Sequence, residues 1–369
     1  MNLYKLEVYN EFRHIGTYYV LTKNETEASQ LILRKLKDWN YSMGWVETIT
    51  LVASEGQYGK PVPLIFSLIL MIFLTFCFCF GQVDYTKYKA HWKDIYPGWS
   101  EVEIDSMLKE NWTRPYIYNS YTQYRERPYQ GRFVNVDSAG FRQNKIKKYL
   151  PLKTNKTNIF VIGGSTTFGY GLPDWETIPA QMEEMLENCD VYNFGCGSYF
   201  SSIELILFQR MMINGYRPDI VIFIDGLNDF YYVEDRNPFE WIFNLLKSKR
   251  DKSAKYSDVD TNLKIVNRYL DNKSMIESIA KRYRIKVLFV WQPIPLYHVN
   301  PENHFIQIEE SNFYYAKYGY DLIPRSLKNF LWLADMQQDI DRLCYCDQYH
   351  YNAFMSKLIA EKIVKFINW

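Results

Sequence analysis

N-I-F-V-I-G-G-S-T-T-F-G, Asn158 to Gly169, is the stretch on which the fold turns. Ile159 to Ile162 are apolar residues of β-branched and aromatic type that stop at Gly163-Gly164, the pattern of a central parallel strand ended by a tight turn. Beyond it, Trp175 to Leu186 carries Ile178, Met182, Met185 and Leu186 at helical spacing, with Pro179 tolerable only in the first turn. Strand, glycines, serine and helix in that order place the Ser165 hydroxyl at the C-terminal edge of a sheet, where open α/β folds hold their sites. Taken alone, Ser165 could equally be a loop serine that caps its own turn. The stretch lacks the lysine of a phosphate-cradling loop and the spacing of a dinucleotide fingerprint. Thr167 stands where G-x-S-x-G needs its second glycine, so the usual nucleophile elbow is not written here.

Outward from this stretch, strand and helix alternate. Val191 to Phe194 reads as a short strand, and Ser201 to Ile213 as a helix through Ile203, Leu205, Ile206, Phe208, Met211 and Met212. Asp219 to Ile224 is a further strand, Val259 to Tyr283 a long helix, and Ile285 to Trp291 a strand again. Tyr297 to Asp321 gives no clear element; Pro324 to Ala334, with proline at the start, and Asn352 to Ile367 read as closing helices. Such a series predicts an α/β domain: a three-layer α/β/α arrangement around a mainly parallel sheet.

A chain of 369 residues, 47% apolar and 18% aromatic, can bury one large core and a small one. A formal net charge of +1 gives no support to a nucleic-acid partner. The six cysteines have no zinc-type spacing and are too few for a disulfide scaffold; Cys196 and Cys346 adjoin the loops described below, where buried thiols are the expected state and a disulfide joining them, in an exported domain, is the alternative.

Residues 1–60 read as a small α+β unit. Leu3 to Tyr9, Gly16 to Leu21 and Val46 to Val52 are strand-like, and Asn24 with Glu27 caps an amphipathic helix through Ala28, Leu31, Ile32, Leu36 and Trp39. The unit carries no chemistry that sequence reveals, and the protein partner it would serve is unknown. Residues 62–80 are nineteen in a row without a charge, long enough to cross a bilayer once as a transmembrane helix. Lys87, Lys89 and Lys93 after the run argue for a cytoplasmic C-terminal side, yet a long C-terminal domain translocates largely regardless of charge. The expected orientation is a cytoplasmic N-terminus with the large domain outside. Residues 81–130 are dense in Tyr and Trp, as in a membrane-proximal stalk or a layer packed on the domain of residues 131–369, with a short helix at Glu101 to Glu110 led by Ser100.

Three loops fall at C-terminal strand ends: G-G-S-T at 163–166, N-F-G-C-G-S at 193–198 and G-L-N-D at 226–229. A fourth, D-Q-Y-H at 347–350, precedes the last helix. Loops at one edge of a parallel sheet converge, so a serine, an asparagine amide, glycine-rich backbone donors, an aspartate and a histidine can meet in one cleft. Nucleophilic catalysis on an ester needs that inventory.

With these four blocks in order, and with V-N-V-D-S-A-G-F-R at 134–142 upstream, residues 131–369 resemble the SGNH/GDSL hydrolase superfamily, and within it the membrane-attached bacterial branch that has G-G-S-T in place of G-D-S-L. The resemblance implies a flavodoxin-like strand order, Ser165 as nucleophile, His350 as general base and Asp347 as the group that orients it. It also implies an oxyanion hole made from the Ser165 N–H, a backbone N–H at Gly197 or Ser198, and the Asn228 side-chain amide, with no cofactor and no metal. Two positions depart from the family: Gly164 replaces the aspartate before the serine, and Ser198 replaces the glycine five residues after Asn193.

The activity implied is ester hydrolysis on an acylated small molecule, glycan or lipid; an exported domain would meet acylated envelope glycans or lipids. O-acyl transfer from the same site and a non-catalytic glycan-binding domain are the alternatives. Asn228 and Asp229 could instead be turn formers, and Asp347 could cap the following helix. His298, His304 and Glu302 are expected to be solvated residues and not a metal set.

Overall fold

The computed structural model describes residues 2–10, 13–22, 45–54, 85–148, 155–233, 255–300 and 313–367, with a few single positions between. The chain divides into two compact units, Met1–Gly81 and Gln82–Trp369.

In the first unit, β1 (Asn2–Asn10), β2 (Arg13–Thr22) and β3 (Trp45–Ser54) form an antiparallel sheet of order β2-β1-β3. Leu3 pairs with Leu21 on one side and Ala53 on the other, and a bulge interrupts the β1–β2 ladder between Val8 and Tyr9. All three strands fall where the alternation predicted them. The capped helix expected after Asn24 and the apolar run 62–80 lie outside the described residues. Among the described residues no helix is long and apolar enough to cross a membrane.

The second unit opens with α1 (Trp92–Ile95) and α2 (Glu101–Trp112), whose Ser100 and Glu103 form a capping box. Short strands follow: β4 (Ile117–Asn119) pairs with β5 (Gln123–Arg125), and β6 (Tyr129–Gln130) with β7 (Asn135–Val136). The central sheet comprises β8 (Thr157–Gly163), β9 (Cys189–Gly195), β10 (Ile220–Asp225), β11 (Lys286–Trp291) and β12 (Phe330–Trp332). All neighbouring pairs are parallel and the order is β12-β11-β10-β8-β9. Numbered within the sheet this is 2-1-3-4-5, the flavodoxin-like order.

Successive residues of these strands point to opposite faces, and both faces are covered. Phe160, Ile162, Phe223 and Phe289 pack with Phe208 and Met211 of α5 (Ser201–Ile213) and with Ile265, Tyr269 and Ile276 of α7 (Val259–Tyr283). On the other face Ile159, Val161, Ile222 and Val290 pack with Ile178 and Met182 of α4 (Ile178–Met185) and with Met355, Ile359 and Ile363 of α9 (Ala353–Ile367). The remaining short helices, α3 (Ser165–Phe168), α6 (Leu227–Tyr231) and α8 (Tyr314–Gly319), lie in connections. The result is the three-layer α/β/α arrangement. A further aromatic layer covers the C-terminal edge of the sheet: Trp92, Ile95, Tyr96, Ile104 and Met107 pack with Phe133, Phe168, Tyr170 and Cys346.

One element differs from expectation. Pro324 to Ala334 reads as a helix, but it contains β12, paired with β11 from Phe289–Phe330 to Trp291–Trp332. Phe330 and Trp332 join one core while Leu331 and Leu333 join the other, a period of two that an all-apolar F-L-W-L hides.

Candidate active site

Ser165 is the first residue of α3, directly after β8, with Gly164 as the N-cap in extended conformation. A Cβ at Gly163 would lie 2.2 Å from Thr167 Oγ1 and 2.8 Å from the Ile224 carbonyl, so the turn needs glycine there. At Gly164 a Cβ would meet Asn228 Nδ2 at 2.5 Å. The aspartate that the family resemblance leads one to expect at 164 therefore has no room while Asn228 holds its position.

His350 reaches Ser165 from the other side of the cleft: its Nε2 is 2.8 Å from Ser165 Oγ, and its Nδ1 is 2.7 Å from Asp347 Oδ2. Asp347 Oδ1 accepts the backbone N–H groups of Tyr349 and His350, both at 2.8 Å. A carboxylate facing Nδ1 assigns the proton to that nitrogen, leaving Nε2 as the acceptor for the serine hydroxyl. Burial pushes the Asp347 carboxyl up, but the neighbouring His350 charge and these hydrogen bonds outweigh it and hold the group below the usual aspartate range. The imidazole is further fixed by the Trp112 ring, edge-on at 5.2 Å between centroids, and by Tyr170 at 5.8 Å. Asp347 does not cap α9; Asn352 does, accepting Met355 N–H at 3.0 Å.

Asn228 sits in α6 and donates through Nδ2 to the Tyr199 carbonyl at 2.7 Å, beside Gly164. Gly226, at φ +143°, makes the turn from β10 into α6; a side chain there would meet the Tyr320 hydroxyl. The two backbone candidates of the second loop separate. The N–H of Gly197 points to Glu126 Oε1 at 3.4 Å, a buried carboxylate from outside the region that resembles the family. Gly197 is therefore not the free donor. Ser198 is exposed, has φ +60°, and its N–H has no acceptor among the described residues. The left-handed conformation is the reason glycine suits this position, and serine tolerates it at some strain.

Arg142, quoted within the 134–142 motif but given no role from sequence, turns out to hold the chain that follows Ser165. Fully buried, it donates to the carbonyls of Phe168, Gly169 and Leu172 at 3.0, 2.8 and 2.7 Å and to Asp174 Oδ1 at 2.8 Å. Only the charge of an arginine beside an otherwise apolar F-R pair could have signalled it. Asp229, beneath Asn228, accepts Ser201 Oγ at 2.6 Å.

Cys189, Cys196, Cys344 and Cys346 are free thiols, so Cys196 and Cys346 are not joined. His298 pairs with Asp335 at 2.8 Å, while Glu302 and His304 lie outside the described residues. Among the described residues no group of three or more His, Cys, Asp or Glu is arranged to hold a metal.

No protein-family model matches the chain, and no curated protein matches it. Solved structures similar to it include a member of the lipolytic protein G-D-S-L family from Veillonella parvula, 11% identical, covering 57% of this chain and 97% of that one, TM-score 0.38. An acetyl xylan esterase is 14% identical over 57% of this chain and 99% of its own, TM-score 0.36. A carbohydrate acetylesterase family member from Sinorhizobium meliloti is 12% identical over 57% and 97%, TM-score 0.37.

Proposed function

We propose that this chain is a serine-dependent ester hydrolase. The observation that supports it is the unbroken hydrogen-bonded line from Asp347 through His350 to Ser165, at 2.7 and 2.8 Å, at the C-terminal edge of the sheet. Ser165 Oγ attacks the acyl carbonyl while its proton passes to His350 Nε2, forming a C–O bond and a tetrahedral oxyanion. The Ser165 N–H, the Ser198 N–H and the Asn228 amide are the donors for that oxyanion. Collapse breaks the bond to the alcohol, which leaves with the proton from Nε2. Water, deprotonated by the same nitrogen, then releases the acid and restores Ser165. No cofactor or metal enters these steps.

A binding-only glycan domain would have no use for this proton path. Acyl transfer to a sugar hydroxyl would use the same acyl-enzyme with an alcohol in place of water. Residues 62–80 supply a single membrane anchor in this reading, with the N-terminus cytoplasmic and the large unit outside, where acylated envelope glycans or lipids are the substrate class. That part rests on the uncharged run alone.

The test is labelling of the full-length chain in carbonate-washed membranes by a fluorophosphonate. Labelling is expected for wild type and absent in Ser165→Ala. No label, or equal label in both, sinks the hydrolase reading, and a chain released by the carbonate wash removes the anchor. A panel of short and long acyl esters, with and without a sugar acceptor, then separates hydrolysis from transfer.

A further inference from the structure

The loop that carries Gly197, Ser198 and Tyr199 is gripped from outside the α/β layers. Glu126 Oε1 accepts the Gly197 N–H at 3.4 Å, and the Tyr124 hydroxyl donates to the Gly197 carbonyl at 3.1 Å. The Tyr199 hydroxyl donates back to the Tyr124 carbonyl at 2.5 Å. Both peptide groups of Gly197 and the side chain of Tyr199 are thus tied to Tyr124, within β5, and to Glu126, the first residue after it. Glu126 is itself anchored: Oε1 also accepts the Tyr170 hydroxyl at 2.9 Å, and Oε2 pairs with Arg114 at 3.2 Å, with both side chains almost fully buried. Arg114 is locked in turn by donation from Nε to the Glu110 carbonyl at 2.7 Å.

Aromatic packing accompanies these bonds: Tyr116 and Tyr124 lie against the buried Cys196, Tyr199 and Phe200. A cavity of about 360 Å³ adjoins the loop, with Cys196, Tyr199, Tyr121, Thr122 and Glu126 among its lining residues. Tyr116 leaves no space for a side chain at 197, since a Cβ would fall 1.8 Å from its hydroxyl. The loop must also hold Ser198 at φ +60°, a left-handed conformation strained for a non-glycine residue, which persists only where the surroundings enforce it. Tyr199 is linked to Asn228 as well, through the carbonyl that accepts the amide.

We infer that the 117–126 hairpin and its continuation are part of the catalytic apparatus: Glu126 and Tyr124 are positioning residues that turn the Gly197 N–H away from the cleft and hold the Ser198 N–H in it. Neither touches substrate. Glu126 takes the first amide of the loop, so the second is left to serve the oxyanion. The inference rests on the proposed hydrolase reading, and it assigns part of the machinery to the aromatic segment that precedes the family-like region.

The test uses the full-length chain in detergent, with p-nitrophenyl acetate as probe and with Glu126→Ala, Glu126→Gln and Tyr124→Phe. Glu126→Ala is expected to lower kcat about 10-fold or more, given that a complete loss of one oxyanion donor costs roughly 10²-fold or more, with KM changed less than about twofold. Glu126→Gln, which keeps an oxygen acceptor, recovers most of the rate. Tyr124→Phe, which removes one hydroxyl, lowers kcat by a smaller factor. The pH profile of kcat/KM keeps its midpoints, because the Asp347–His350 pair is untouched. Wild-type kcat in both Glu126→Ala and Tyr124→Phe, or a loss confined to KM, overturns the inference while leaving the hydrolase reading intact. Should Glu126→Ala not fold, Tyr124→Phe decides by the same criteria. A wild type that neither turns over the ester nor takes the fluorophosphonate overturns both.

Discussion

His350 has both ring nitrogens committed, one to Asp347 and one to Ser165, and its ring is held between Trp112 and Tyr170. A histidine so constrained has one useful tautomer, and Asp347 enforces it. Asp347→Asn keeps the shape but presents an amide to Nδ1, which favours the wrong tautomer. The expected result is a loss in kcat of about 10³- to 10⁴-fold at neutral pH, read from ester turnover. The sign of the Asp347 effect on stability follows from its lowered pKa. The carboxylate stabilises the fold above the unfolded value of about 3.9, and that contribution is lost as pH falls through the lower folded value. Asp347 is consequently ionised wherever the imidazole is neutral enough to act as base.

The short helix α3 and the loop after it are a strand-to-helix turn whose backbone groups face inward. Arg142 satisfies them from a neighbouring bridge, where its own N–H donates to the Asn193 carbonyl at 2.8 Å. One side chain therefore ties the Ser165 turn to the end of β9. Replacing it by methionine keeps much of the volume but takes one donor from each of three carbonyls, which are left with Asn193 Nδ2, the Leu172 N–H and Asn111 Nδ2, and deprives the buried Asp174 carboxylate of its cation. Removing one partner of a buried ion pair costs roughly 3–5 kcal/mol, so Arg142→Met should lower the unfolding midpoint by several degrees or prevent folding. An unchanged midpoint in thermal unfolding would show that the turn holds itself. Gly195 belongs to the same junction: a Cβ there would lie 2.1 Å from the Phe168 backbone nitrogen, so α3 can pass β9 only over a glycine.

Three elements of the large unit bring acids together beneath α6: Glu204 from α5, Asp225 at the end of β10 and Asp229 within α6. All three are buried, and no donor among the described residues reaches either carboxyl oxygen of Glu204 or Asp225 Oδ1. Two such carboxyls satisfy each other only by holding a proton between them. Burial first, and the neighbouring acids second, push Asp225 up to about 8 and Glu204 well above its ordinary value. Other polar groups here include Tyr269, the Arg268 guanidinium, which donates to the Asp229 carbonyl at 2.6 Å, the Ser201 hydroxyl on Asp229, and Asn272, which donates to that hydroxyl. Folded pKa values above the unfolded ones mean that the folded state binds more protons from about pH 4 upward. Stability contributed by these protons is fully present below the unfolded values and is lost as pH rises through the folded ones, by roughly 1.4 kcal/mol per pH unit for each group. The unfolding midpoint is expected to fall between pH 5 and pH 8, from above the unfolded carboxyl values to the folded Asp225 value, and Glu204→Gln to flatten that slope. A parallel slope in the variant would remove the shared proton. The whole-molecule consequence is that Glu204 and Asp225 hold a proton beneath α6 at neutral pH.

Local pattern determined the strand that ends at Ser165, the alternation of strand and helix around it, the capped helix after Ser100 and the loops that bear Asn228, Asp347 and His350. These are legible because a buried parallel strand, a glycine turn and a cap each have a short-range residue requirement. The strand at Phe330 was not legible, since a segment apolar on both faces carries no period, and only the open edge of β11 decides between strand and helix. Tertiary structure alone decided which second-loop amide is free, because that depends on Glu126, 71 residues before Gly197 in the chain. It alone decided that the aromatic residues from Trp92 onward cover the site, and that Arg142 holds the turn beneath the serine. A hydrogen bond across such separations leaves no spacing in the sequence; it exists only once the sheet has set the distances.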